Sequence, residues 1–114
     1  MKILITGGAG FIGSNVADAY IEKGHEVWII DNLSTGSMKN VNKKVKFIQL
    51  DIRDKKVEDL FKAERFDIVN HHGAQIDVRK SVSDPIFDAD VNVLGSLNIY
   101  ENARKYGTKK VIFI

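Results

Sequence analysis

Cysteine is missing from this sequence of 114 residues, proline occurs once, at Pro85, and tryptophan once, at Trp28. Without cysteine there are no disulfides and no thiolate-held metals. Long apolar runs are also missing. None exceeds four residues, short of the roughly 7–15 of a secretory signal core and far short of the ~20 of a membrane span. A cytoplasmic protein with no membrane partner is therefore expected. Excess charge of one sign is lacking too: 17 Lys and Arg stand against 15 Asp and Glu, a formal +2, which argues against a nucleic-acid partner. The one dense basic run, Lys43, Lys44 and Lys46, reads as a solvated loop before a strand. Linkers, repeats and low-complexity stretches are absent. What remains, 44% hydrophobic and 28% charged, suits one globular domain over residues 1–114.

Short apolar runs alternate with helical patterns. Ile3, Leu4 and Ile5 read as a strand covered on both faces. A helix is predicted over about Phe11 to Lys23, with Ile12, Val16 and Tyr20 on one face and Gly24 as its stop. Val27 to Ile30 form a second strand ending at Asp31, and residues 32–44 a loop with at most a helical turn. Lys46 to Leu50 form a third strand ending at Asp51. Asp54 caps a short helix through about Ala63, with Val57, Leu60 and Phe61 inward. Asp67 to His71 form a fourth strand. Asp84 and Pro85 open a long helix that ends at Gly107, its stripe including Phe87, Val91, Leu94, Leu97 and Tyr100. Lys110 to Ile114 form the fifth strand. The pattern predicts an α/β fold with a doubly wound parallel sheet of Rossmann type, strand order 3-2-1-4-5. A flavodoxin-like order is the alternative, but it does not naturally combine a glycine-rich first turn with an acid ending strand two.

The turn after strand one carries the chemistry. Gly7 permits a tight exit from the strand, Gly10 lets a phosphate approach the backbone without a Cβ in the way, and Gly13 lets the helix pack closely. The helix N-terminus, at Phe11 and Ile12, then aims free N–H groups at a pyrophosphate. The spacing Gly-x-x-Gly-x-x-Gly is one residue longer in its first half than the usual dinucleotide fingerprint. Asp31 can accept hydrogen bonds from both hydroxyls of an adenosine ribose and would repel a 2′-phosphate, which favours NAD over NADP. Asn32 and Ser34 can add ribose or phosphate contacts and Gly36 can ease close approach of that loop, with plain loop chemistry as the alternative for each. Asp51 can accept from an adenine amino group, with Ile52 packing on the base; a turn or capping role for Asp51 is the alternative. His71 and His72 are adjacent at a strand end and point to opposite faces, with no third ligand placed by spacing, so no metal is expected.

In order along the chain occur Thr6-Gly7-Gly8-Ala9-Gly10-Phe11-Ile12-Gly13, Asp31-Asn32-Leu33-Ser34-Thr35-Gly36, Asp51-Ile52, His71-His72-Gly73-Ala74-Gln75, Asp77 to Val82 and Asp90 to Ser96. Together they resemble the extended short-chain dehydrogenase/reductase family, and within it the UDP-glucose 4-epimerase branch. The resemblance implies that His72, Gly73 and Ala74 line the cofactor and that Asn92 helps hold its central portion. Gly73 departs from the alanine more usual there. It also implies an NAD-dependent isomerase that passes hydride at sugar C4, using a tyrosine and a lysine four residues later, aided by a Ser or Thr just after strand five. In the family these groups lie beyond the position of Ile114. Tyr106 and Lys110 spell the same spacing, but Gly107 ends the helix between them and the pair precedes strand five, so no catalytic residue is assigned. The expectation is therefore a cofactor-binding portion, cut after strand five and inactive alone, that self-associates through the strand-five edge or an apolar helix surface. A nucleotide sugar would be a partner only of the intact enzyme. The cofactor half of a nucleotide-sugar 4,6-dehydratase or decarboxylase, or a nonenzymatic NAD-binding module, are the competing readings.

Overall fold

A computed structural model describes residues 1–33, 37–72 and 90–113, and of residues 90–92 the backbone alone. Its strands are β1 (Lys2–Thr6), β2 (Glu26–Asp31), β3 (Lys46–Gln49), β4 (Ile68–His71) and β5 (Lys110–Phe113). The helices are α1 (Phe11–Glu22), α2 (Lys56–Glu64) and α3 (Ser96–Lys105), the last preceded by a π-helical stretch over Asp90–Gly95. All four strand pairings are parallel and the order is β3-β2-β1-β4-β5. The expected Rossmann order is the observed one.

Alternation along the strands builds two cores, because successive side chains point to opposite faces. Ile3 and Ile5 of β1 pack with Val27, Ile29 and Ala17 under α1. Leu4 and Ile30 pack on the other face with Val57 and Phe61 of α2 and Ile99 and Ala103 of α3. Burial on both faces is why β1 and β2 read as continuous apolar runs rather than alternating ones. Phe61 meets Phe66 edge-on, centroids 5.4 Å apart at 85°, a favourable aromatic geometry. The N-cap of α2 is Lys55 rather than Asp54, with no side-chain cap; Asp54 sits one residue earlier and its Oδ1 accepts the Lys56 N–H at 2.8 Å. Leu60 is half-buried at the rim of that core.

Two helix faces differ from the sequence expectation. Ile12 is turned to solvent, 60% exposed, while Gly13, Ser14 and Ala17 are the buried residues of α1. The helix rests on its smallest side chains, which brings its axis close to the sheet and rotates Ile12 outward. In the last helix Leu94 and Leu97 are exposed, and the buried residues of α3 are Ser96, Ile99, Asn102 and Ala103. Within α3 the inward residues Ser96, Ile99 and Ala103 share one face, and Leu97 falls on the opposite one; Leu94 lies in the π-helical stretch, whose turns take up more residues than α-turns. Gly95 sets the true phase: a Cβ there would lie 2.6 Å from Ile52 Cδ1. Phe87, Asp84 and Pro85, and the start of the long helix, lie outside the described residues.

Candidate cofactor site

The glycine turn sits at the carboxyl ends of β1 and β2. Gly7 has φ +70°, a left-handed conformation that glycine alone adopts freely, and its N–H donates to Ile30 O at 2.8 Å. A Cβ on Gly13 would lie 2.7 Å from Gly7 O and 2.8 Å from Gly8 Cα, so the helix packs on the turn itself as well as on the sheet. At Gly10 the nearest atom to such a Cβ is Gly7 O at 3.4 Å, which leaves that side of the turn open to a ligand. Gly10 is the N-cap of α1, which has no side-chain cap and no acidic residue in its first turn. The first N–H groups and the positive end of the helix dipole are thus left for an anion. Phe11, 78% exposed, and Ile12 flank this opening.

Asp31 does more than end β2. Its Oδ2 accepts the Ala9 N–H at 3.0 Å and its Oδ1 the Leu33 N–H at 2.7 Å, with the residue only 9% exposed. Each oxygen keeps a second lone-pair direction, so the carboxylate can hold the turn and still accept a ribose hydroxyl. Ala9 O in turn accepts from the Ser37 N–H and from Asn40 Nδ2, at 3.1 and 3.0 Å. The β2–β3 connection is thereby tied to the turn.

Asp51 and Ile52 stand differently from their sequence reading. Arg53 binds the Asp51 carboxylate through Nε at 2.8 Å and a terminal nitrogen at 2.7 Å, and its N–H adds a bond at 2.9 Å. Hydrogen bonding from the Arg53 side chain, then from its backbone and from Asn32 Nδ2 at 3.3 Å, holds the Asp51 pKa down to about 2 against the opposing effect of burial. The turn role weighed for Asp51 is thus present. Ile52 is corrected: its side chain is 5% exposed and packed in the core beneath α3, where Asn98 Nδ2 also binds its carbonyl at 2.7 Å. It cannot lay its side chain on a base. Asn32 and Asp51 line an open groove of about 680 Å³ with Leu50 and Leu60.

The model of the NAD dependent epimerase/dehydratase family matches residues 3–114. The chain belongs to that family. A UDP-glucose 4-epimerase of Thermotoga maritima, solved with UDP-glucose, is 46% identical with a TM-score of 0.97 over 99% of this chain and 37% of its own. A UDP-glucose 4-epimerase of Thermus thermophilus, solved with NAD, is 47% identical with a TM-score of 0.92 over 97% of this chain and 36% of its own. Among curated proteins, the UDP-glucose 4-epimerase of Mycolicibacterium smegmatis is 40% identical over 98% of this chain and 37% of its own length. The chain spans about a third of the length of these relatives.

As a member of the epimerase/dehydratase family, the chain brings Gly7, Gly10, Gly13, Phe11, Ile12, Asp31 and Asn32 to one sheet edge. His72 reaches the same edge, its N–H 2.9 Å from Thr6 O and 3.0 Å from Thr6 Oγ1. Burial lowers the pKa of His72, and its buried Nε2 has no hydrogen-bond partner among the described residues. Ser34, Gly36, Gly73 and Ala74 lie outside the described residues, as does the side chain of Asn92. Sequence reasoning passed over Gly8, where a Cβ would lie 2.6 Å from Ile29 Cγ1; a second glycine directly after Gly7 was the available signal. Among the described residues no cluster of His, Asp and Glu is arranged for a metal. Tyr106 gives its hydroxyl to Glu58 at 3.1 Å, and Lys110 begins β5 at the end of the sheet away from the glycine turn.

Proposed function

We propose that this chain binds NAD, as the cofactor-holding part of an enzyme that epimerises a nucleotide sugar in the manner named for its relatives. The observation that carries the reading is the uncapped N-terminus of α1 held beside the Asp31 carboxylate, with no Cβ at Gly10 between them and a phosphate. Bound NAD supplies a reversible acceptor for a hydride from sugar C4. The chain's own residues bind and orient. The turn from Gly7 to Gly13 takes the pyrophosphate through backbone N–H groups, Asp31 accepts the adenosine ribose, and Asn32 with Asp51 walls the adenine side. His72, Gly73, Ala74 and Asn92 are assigned to the cofactor by the family resemblance, and Ser34 and Gly36 by the residue types that follow Asp31 in the sequence. The backbone of Ile52, rather than its side chain, is what remains to contact the base.

No residue of this chain is assigned to catalysis, and these residues by themselves are expected to turn over no sugar. The same reading takes the protein as cytoplasmic, without nucleic-acid or membrane partners; no described helix is long and apolar enough to cross a membrane. It also takes the chain as self-associating. Calorimetric titration tests the central point. NAD should bind with a dissociation constant between about 1 μM and 1 mM, roughly −8 to −4 kcal/mol, and NADP more weakly. Absence of both heat and thermal shift at millimolar NAD would sink the proposal.

A further inference from the structure

A buried polar chain crosses the carboxyl ends of β1 and β4 and has no part in the cofactor contacts assigned above. His71 is 1% exposed. Its Nδ1 lies 2.6 Å from Thr6 Oγ1 and its Nε2 2.7 Å from Ser96 Oγ. Edge-on contact with Tyr100, centroids 5.8 Å apart, and a tilted one with Phe113 at 5.7 Å close the ring in. A neutral imidazole offers one donor and one acceptor, and two hydroxyls satisfy both in either tautomer. Three elements are thus joined through one side chain: Thr6 of β1, His71 of β4 and Ser96, the first residue of α3.

Apolar side chains of similar volume often fill a buried position at least as stably as a polar network does. A satisfied network between separate elements does something else, fixing their relative placement. The placement at stake is specific. Thr6 immediately precedes Gly7, where the phosphate turn begins, and the Thr6 carbonyl and hydroxyl both take the His72 N–H. Ser96 follows Gly95, which is seated against Ile52. We infer that His71 is a positioning residue for the cofactor turn: it locks the last residue of β1 to the start of α3, so that dinucleotide affinity depends on the Thr6–His71–Ser96 hydrogen bonds and not only on the bulk of the ring. The inference rests on the NAD reading above.

Calorimetric NAD titrations of wild type, Ser96→Ala, Thr6→Val, Thr6→Ser and the Ser96→Ala/Thr6→Val pair test it, with folding of each checked by circular dichroism. Ser96 is the informative site, because its hydroxyl is used by His71 in the core and lies off the glycine turn. Ser96→Ala and Thr6→Val should each weaken binding about fivefold to tenfold, the scale of one lost buried hydrogen bond. Thr6→Ser, which keeps the hydroxyl, should bind within about twofold of wild type, inside the error of additivity. The pair should fall well short of the product of the singles, as expected of groups acting through one ring. Ser96→Ala with wild-type affinity, or a pair that multiplies, would overturn the positioning role while leaving the NAD reading intact. Wild type that binds no NAD overturns both. Should Thr6→Val not fold, the Ser96→Ala titration decides alone.

Discussion

At the scale of single residues, Asp31 carries two loads with one carboxylate. Its oxygens already accept the Ala9 and Leu33 N–H groups, so Asp31→Ala removes the shape of the turn together with the proposed ribose contact. Leaving two such donors unsatisfied costs about 1–3 kcal/mol each where they stay buried. Asp31→Ala should therefore lower the denaturation midpoint and bring the NAD-to-NADP affinity ratio toward one. Paired titrations with the two nucleotides measure the ratio, and an unchanged ratio removes the ribose assignment. His71 makes a different prediction. Burial first, and then the neighbouring His72, lower its pKa from 6.5 to about 4. The folded state therefore resists protonation that the unfolded chain accepts. Its contribution is fully present above pH 6.5 and is lost as pH falls toward 4, a swing of about 3 kcal/mol. His72, lowered in the same direction, adds to that slope. Asp51 titrates below this window, at about 2. Denaturant unfolding at pH 7 and pH 4.5 should show the loss in wild type and a smaller one in His71→Phe. Equal losses in both would remove His71 as the cause.

At the scale of elements, the glycine turn separates shape from ligand access, and two substitutions exploit this. A Cβ at Gly13 meets backbone atoms of Gly7 and Gly8 at under 3 Å. Gly13→Ala must therefore shift the turn, at about 1–3 kcal/mol, and should lose both stability and NAD binding. Gly10→Ala meets only Gly7 O, at 3.4 Å, so its melting temperature should stay within a few degrees of wild type while NAD binding is lost. A Gly10→Ala protein that binds NAD normally would mean the pyrophosphate does not lie over Gly10. The same turn shows what was legible in the residues alone. Glycine spacing between a strand and a helix has few physical meanings, and the unbroken apolar runs of β1 and β2 announce a sheet covered on both sides, as parallel sheets are. Helix phase was less legible. Leu94 and Leu97 extend the apolar stripe, but the inward face of α3 is set by Ser96, Ile99 and Ala103, which puts Leu97 on the opposite side, and no local residue pattern announces the π-helical stretch that holds Leu94. Ile52 misled for a related reason: the Asp51–Ile52 pair suggests a strand end facing a base, whereas the close seat of Gly95 draws the Ile52 side chain inward. An acid ending β2 is legible at Asp31, but its bonds to Ala9 and Leu33 depend on how the glycine turn and the residues after β2 close around it, which spacing does not encode.

At the scale of the whole molecule, the two sheet edges are treated unequally, and this bears on association. On β3, Lys46 is exposed, with its ammonium 3.4 Å from Glu26 and 5.1 Å from the centre of the Trp28 ring; an edge lysine discourages pairing with another chain. On β5, Val111, Ile112 and Phe113 follow Lys110, and Phe113 is 62% exposed. Separately, Val93, Leu94 and Leu97, in and just before α3, are apolar and each more than half exposed. Those three side chains offer on the order of 300 Å² of apolar area, well below the ~800 Å² per partner of a stable interface. Association through the helix surface or the β5 edge should therefore be weak and concentration-dependent. Sedimentation velocity from micromolar to near-millimolar protein should show the mean sedimentation coefficient rising with concentration. Leu94→Lys with Leu97→Lys places charge on the helix surface without entering the core, and Phe113→Lys does the same at the edge. The substitution that flattens the concentration dependence identifies the contact. A wild-type coefficient constant across the whole range would mean that neither surface pairs two copies.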